Sequence, residues 1–148
     1  MEQLAQLIFI SFPEALFFLF FTFALVGIDW KTTWKQGLFL SFVYSIATFF
    51  TYHLLTYDYT IRILINSIAF LVVLKILFQF TIPKCILITI TYVISQIIGE
   101  SIAVFSYVQL THQEIHQIGQ TAEFFLYPWA CYLFVFILTL YIDKRQIT

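Results

Sequence analysis

Apolar residues run along this chain in five long blocks, and most of its polar residues collect between them. The blocks extend from Leu4 to Ile28, Gly37 to Thr56, Thr60 to Phe80, Lys84 to Val108 and Phe124 to Ile142. At 1.5 Å per residue, about 20 residues cross a ~30 Å hydrocarbon core as a helix. The pattern therefore predicts an all-α protein: a polytopic transmembrane helical bundle of five spans, forming one integral membrane domain over residues 1–148. The breaks have local causes. Asp29 to Gln36 is polar and carries two lysines, Tyr57-Asp58-Tyr59 is a tight polar-aromatic turn, and Pro83 is expected to stop one helix while permitting the next to begin. Gln109 to Glu123 is the one long connection. Its Ile115, Ile118 and Ala122 are spaced with Phe125 like one helical face, with His112, Glu114, His116 and Gln117 among the intervening positions. That spacing suits a short amphipathic helix lying on the membrane. No internal repeat or low-complexity segment is visible.

Composition supports lipid as the solvent. With 61% hydrophobic and only 10% charged residues, the chain cannot give a soluble domain a charged, patch-free surface. Formal net charge is −1 and the basic residues are scattered, so nucleic acid is not an expected partner. Glu2 precedes the first apolar run, with no cation before it and no small-residue cleavage site after it. The first helix is therefore expected to be retained rather than removed as a signal peptide. Cys85 and Cys131 fall in opposite halves of their helices, where a disulfide would need their depths to coincide, and both read as small packing residues.

Orientation follows from the basic residues in short loops and at helix ends. Five spans put Lys31, Lys35, Lys75, Lys84, Lys144 and Arg145 on or near one side and Arg62 on the other. The expected topology has the N-terminus external and the C-terminus cytoplasmic, with Lys75 extending its alkyl stem to the inner interface. Trp30, Trp34 and Tyr141 would form the inner aromatic belt, and Tyr57, Tyr59, Tyr127 and Trp129 the outer one.

Charge inside a bilayer is costly, so Glu14 and Glu100 call for an explanation. Counted from the cytoplasmic ends of their helices, they lie roughly 20 and 24 Å up, at similar depth in the outer half. Arg62 and Asn66 are one turn apart on a common face and enter the same layer from the outer end. In the fourth span Tyr92, Gln96, Gly99, Glu100, Ala103 and Tyr107 recur at three- and four-residue spacing, a small and polar face of the kind that turns toward other helices. Ser41, Ser45, Thr48 and Tyr52 make a similar stripe in the second span. Pro13 removes an amide donor and frees the Phe9 carbonyl, which predicts a local bend or opening beside Glu14. The candidate ligand-binding residues are thus Glu14, Arg62, Asn66, Gln96 and Glu100. Two readings of them stand side by side: an outward-facing pocket for a signal, ion or small ligand, or a packing device in which Arg62 pairs with one acid and the other is protonated.

Other chemistry is sparse. His53 lies near the external end of its helix, within reach of water. His112 and His116 are four apart, but Gln113 stands where a zincin has Glu, and a solvated pair is expected. There is no Gly-rich phosphate loop, no paired nucleophile and base and no cysteine cluster, so neither an enzymatic activity nor a cofactor or metal is expected.

The opening stretch, Ile8 to Trp34 (IFISFPEALFFLFFTFALVGIDWKTTW), resembles the start of the membrane sensor region in Gram-positive sensor histidine kinases of the accessory-gene-regulator type. There, too, an early Pro-Glu inside an apolar first helix is followed by Gly and a short basic loop. The resemblance extends loosely over most of the chain as a pattern of helix lengths and loops. It implies a multi-pass module of the bacterial plasma membrane that detects an external signal, often a quorum-sensing peptide, and passes a helix movement to a cytoplasmic kinase. Only Pro13 and Glu14 carry over residue by residue. The departure is that the sequence ends at Thr148, six residues past the last span, without a phosphoacceptor helix or ATP-binding domain. An excised sensor region or a stand-alone relative that signals through a partner would each account for that.

The expected function is a non-enzymatic membrane sensor or regulatory module. A small subunit of a transporter or channel complex and a structural accessory subunit are the alternatives. The expected partners are the lipid bilayer, a membrane protein or a second copy of the chain, and a small peptide or ion.

Overall fold

A computed structural model describes residues 7–54, 59–111 and 123–146. Among them there is no strand. A π-helical turn at Leu7–Ser11 leads into α1 (Phe12–Val26), followed by α2 (Trp34–Leu54), α3 (Tyr59–Phe78), α4 (Ile82–Thr111) and α5 (Glu123–Gln146). Among the described residues, three stretches are long and apolar enough to cross a membrane: Ile8–Val26, Thr60–Phe78 and Ile82–Ser106. The helices α2 and α5 have 21 and 24 residues, but α2 spends its first turn on Lys35, Gln36 and Gly37.

The helix ends follow local chemistry. Gly27 takes the left-handed conformation (φ 74°) that ends α1, its N–H reaching the Ala24 carbonyl while Ile28 N–H reaches Phe23 O at 2.8 Å. This double bond pattern satisfies carbonyls the helix would otherwise leave open, and buried Ile28 packs below it. At the end of α3 the stop is Gln79, at φ 54°, with its N–H on Lys75 O. Pro83 instead sits in the first turn of α4, where a missing donor costs nothing. It permits that helix to begin but does not terminate the one before. Pro13 perturbs α1 as expected, since the widened π turn covers the Phe9 carbonyl that lacks an amide four residues on.

Each helix packs against its sequence neighbour, α5 closes the ring on α1, and α1 also crosses to α4. The bundle is thereby divided into an α1–α4–α5 side and an α1–α2–α3–α4 side. Inward and outward faces differ less in hydrophobicity than in kind. On α3, Asn66, Phe70 and Leu74 are buried at four-residue spacing, while Leu64, Ile68, Val72 and Ile76 form an exposed stripe with the same spacing. An apolar exterior on this scale would be an aggregation surface in water, and is the expected surface toward lipid. The interior is instead marked by aromatic, small and hydroxyl side chains, which let helices approach and interlock without a hydrophobic drive between them. Phe70 stacks on Tyr92 at 4.5 Å, and the Tyr44 ring meets both edge-on.

One end of the bundle gathers the α1–α2 loop, the α3–α4 connection and the end of α5. Lys31 Nζ pairs with the Asp143 carboxylate. Gln36 donates to Leu77 O at 3.4 Å, and Lys75 curls back onto Phe80 O. The six basic residues at this end stand apart from Arg62, which lies in the first turns of α3. Trp34 and Tyr141 are exposed there, but Trp30 packs against Phe20 and Phe136 instead of joining an exterior belt. Cys85 and Cys131 are free thiols. The connection carrying His112 and His116 lies outside the described residues, as do Tyr57 and the side chains of Tyr52, His53, Tyr59, Tyr107 and Tyr127.

Candidate functional site

The carboxylate of Glu14 enters the bundle from the first turn of α1, directly after the π segment. Its Oε1 accepts a hydrogen bond from Gln96 Nε2 at 3.2 Å, and the same amide nitrogen donates to Glu100 Oε1 at 3.1 Å. Gln96 and Glu100 are one turn apart on α4, so their pairing follows from helical spacing. Bringing Glu14 into it depends on the close α1–α4 crossing. Gly99 makes that crossing feasible, because a Cβ there would overlap the Phe18 ring. Small residues serve helix approach in this way where lipid is the solvent.

Two tyrosines complete the layer. Tyr132 on α5 donates to Glu14 Oε2 at 3.3 Å, and Tyr44 on α2 donates to Gln96 Oε1 at 3.4 Å. One amide thus receives a proton from α2 and gives two to acids on α1 and α4, while α5 holds the far oxygen of Glu14. Buried polar groups need such partners, since each unpaired one costs about 1–3 kcal/mol. Neither tyrosine was anticipated among the site residues. A tyrosine in mid-helix, whose hydroxyl needs a partner when buried, is the sequence signal that points to them.

Beside this layer, toward the end opposite the basic cluster, lies a cavity of about 220 Å³ between α2, α3 and α4, with Arg62, Asn66, Gln96 and Glu100 in its lining. Thr51 on α2 donates to Asn66 Oδ1 at 3.0 Å, tying α2 to α3 across the cavity wall. Of the five predicted residues, four therefore line one space, and Glu14 joins them through Gln96. Ser45 fastens the disturbed start of α1 from the other side by donating to Ser11 O at 3.1 Å.

Comparison with protein-family models, with curated proteins and with solved structures finds no match for this chain.

Among the described residues, no group of three or more His, Cys, Asp or Glu is placed to hold a metal ion. The carboxylates meet amide and phenol donors, a pattern suited to holding and releasing charge or a polar ligand. The cavity is smaller than the ~300–1,000 Å³ typical of drug-sized ligand sites, so it could take a small solute or one anchoring side chain, but not a whole peptide.

Proposed function

We propose that the chain is a non-enzymatic sensor or regulatory module of the bacterial plasma membrane, crossing it five times with the N-terminus external and the C-terminus cytoplasmic. The observation that carries this reading is the hydrogen-bonded path from the cavity residues Glu100 and Gln96 through Glu14 to Tyr132 on α5. Ligand binding at the cavity would change how Glu14 is held and so favour one of two placements of α5. The Asp143-Lys144-Arg145 end of α5 would carry the change to a partner in the cytoplasm or membrane. Six basic residues at one end and Arg62 toward the other support the orientation. The helices α2 and α5 have 21 and 24 residues, and what remains after the polar first turn of α2 and the charged last turn of α5 is still roughly the length of a crossing at 1.5 Å per residue, which supports counting them. The Pro-Glu opening, which resembles that of accessory-gene-regulator-type sensor kinases, fits the same role.

Replacing Glu14 or Glu100 by Gln should alter the response of the native cell while leaving membrane insertion intact. Unchanged response in both variants would count against the reading. A second reading, a small subunit of a proton or cation carrier, is favoured by one feature: two acids share a single amide at one depth. It requires flux in reconstituted vesicles that the same Gln variants abolish. Co-purification with a stoichiometric membrane partner, without any ligand response, would instead favour an accessory subunit.

A further inference from the structure

The cavity carries one charged side chain of each sign on facing helices, Arg62 from α3 and Glu100 from α4. We propose that it binds a compact zwitterion of α-amino-acid size, with the ligand carboxylate at Arg62 and its ammonium group at Glu100. This rests on the reading of the cavity as a ligand site, and it adds the chemical class of the ligand.

Charge balance argues for both ends. A lone inorganic cation drawn to Glu100 would meet the guanidinium, and a lone carboxylate drawn to Arg62 would meet the acid. A zwitterion satisfies each and adds no net charge to a region where uncompensated charge is expensive. A guanidinium has five N–H donors in a planar fork that matches a carboxylate, which makes Arg62 the residue of this lining best suited to a ligand carboxylate. Glu100 is steadied from behind by Gln96, which fixes the oxygen an ammonium would meet.

The neutral lining agrees. Asn66, tied to Thr51 on α2, places an amide in the same wall. Ile63 and Ile97 supply an apolar patch for a short side chain. At about 220 Å³ the space suits a free amino acid and is too small for a whole peptide.

The test is equilibrium binding to the full-length protein in lipid nanodiscs, using radiolabelled alanine, serine and leucine in turn. At least one should bind saturably, with ethylamine and propionate competing at least tenfold more weakly. Glu100→Gln and Arg62→Lys should each weaken binding at least tenfold, the second by losing the planar fork while keeping the charge. Ile68→Ala on the exterior stripe should leave it unchanged. Ethylamine competing as well as the zwitterion would make this an amine site, propionate doing so would make it an anion site, and no binding of any probe would remove the ligand class. Each of these overturns the proposal. If none of the probes binds but Glu14→Gln and Glu100→Gln still change the cellular response, the zwitterion falls while the sensor reading survives.

Discussion

The two ends of the bundle are built on different terms. Toward the basic end, α1 contributes Leu19, Phe23 and Ala24 with at most 1% of their surface exposed, packed against Leu40, Leu74 and Ile88 at 0%. Toward the other end the same helix begins with a π turn, Pro13 and Glu14, and its neighbours present amides, hydroxyls and a cavity. The first region is close-packed and has little room to change. The second is joined by hydrogen bonds of 3.0 to 3.4 Å around open space, and such bonds can exchange partners at modest cost. In the proposed sensor, rigid packing and the response to a ligand would be divided along a single helix, the packed end acting as the fulcrum for the other.

That comparison breaks most readily at the fulcrum. Phe23→Ala would leave a void beside Phe78, whose ring meets Phe23 edge-on at 5.3 Å. Between helices in lipid the transfer contribution is largely absent and the cavity contribution remains, which at about 24 cal/mol per Å³ amounts to roughly 2 kcal/mol for most of a ring's volume. Unfolding in mixed micelles should show that loss. A loss below about 0.5 kcal/mol would mean the packed end is not the rigid one.

Gly99→Ala tests the boundary between the regions. The added methyl would overlap Phe18, itself buried, and overpacking of this kind costs about 1–3 kcal/mol. Phe18→Leu in the same chain should recover part of the loss. Failure of that rescue would place the cost elsewhere.

The smallest effect concerns the pair that ties the α1–α2 loop to the end of α5. The hydrogen bond from Lys31 to Asp143 raises the Lys31 ammonium above its ordinary range, with the negative charges of Asp143 and Asp29 adding to it. A raised folded value means the contribution is fully present below the ordinary lysine value of about 10.4 and is lost as pH climbs through the folded value. Protease cleavage in the α1–α2 loop should therefore be flat from about pH 6 to 10 and rise only above that, whereas Asp143→Asn should raise it across the flat range and converge with the native chain above it. Equal cleavage in both forms at neutral pH would show that the pair holds nothing.

Hydropathy located all five helices because lipid-facing sides need apolar residues along their whole length, and that signal is continuous. It could not show which apolar face turns inward. On α3, Phe70 and Ile68 look equally suited to either side, and only Asn66 marks the buried stripe. The acids and Gln96 stood out because membrane charge and amide are rare. Tyr44 and Tyr132 did not, since tyrosines read equally well as interface anchors. The reason α3 stops was hidden for another cause: Gln79 adopts a positive φ that its residue type does not announce, while nearby Pro83 offered a more obvious but incorrect explanation.

Glu14 and Glu100 meet in one layer where α1 crosses α4, held by the amide of Gln96. The most direct measurement is thiol cross-linking in native membranes of a Glu14→Cys, Glu100→Cys chain from which Cys85 and Cys131 have been replaced by Ala. A short bifunctional thiol reagent should join the two positions within one chain, and a bulky lipid-soluble maleimide should label the Glu14→Cys site poorly, since Glu14 is enclosed by α4 and α5 whereas Glu100 is exposed. No cross-link, together with ready labelling of position 14 from the lipid phase, would show that the two acids do not share a layer.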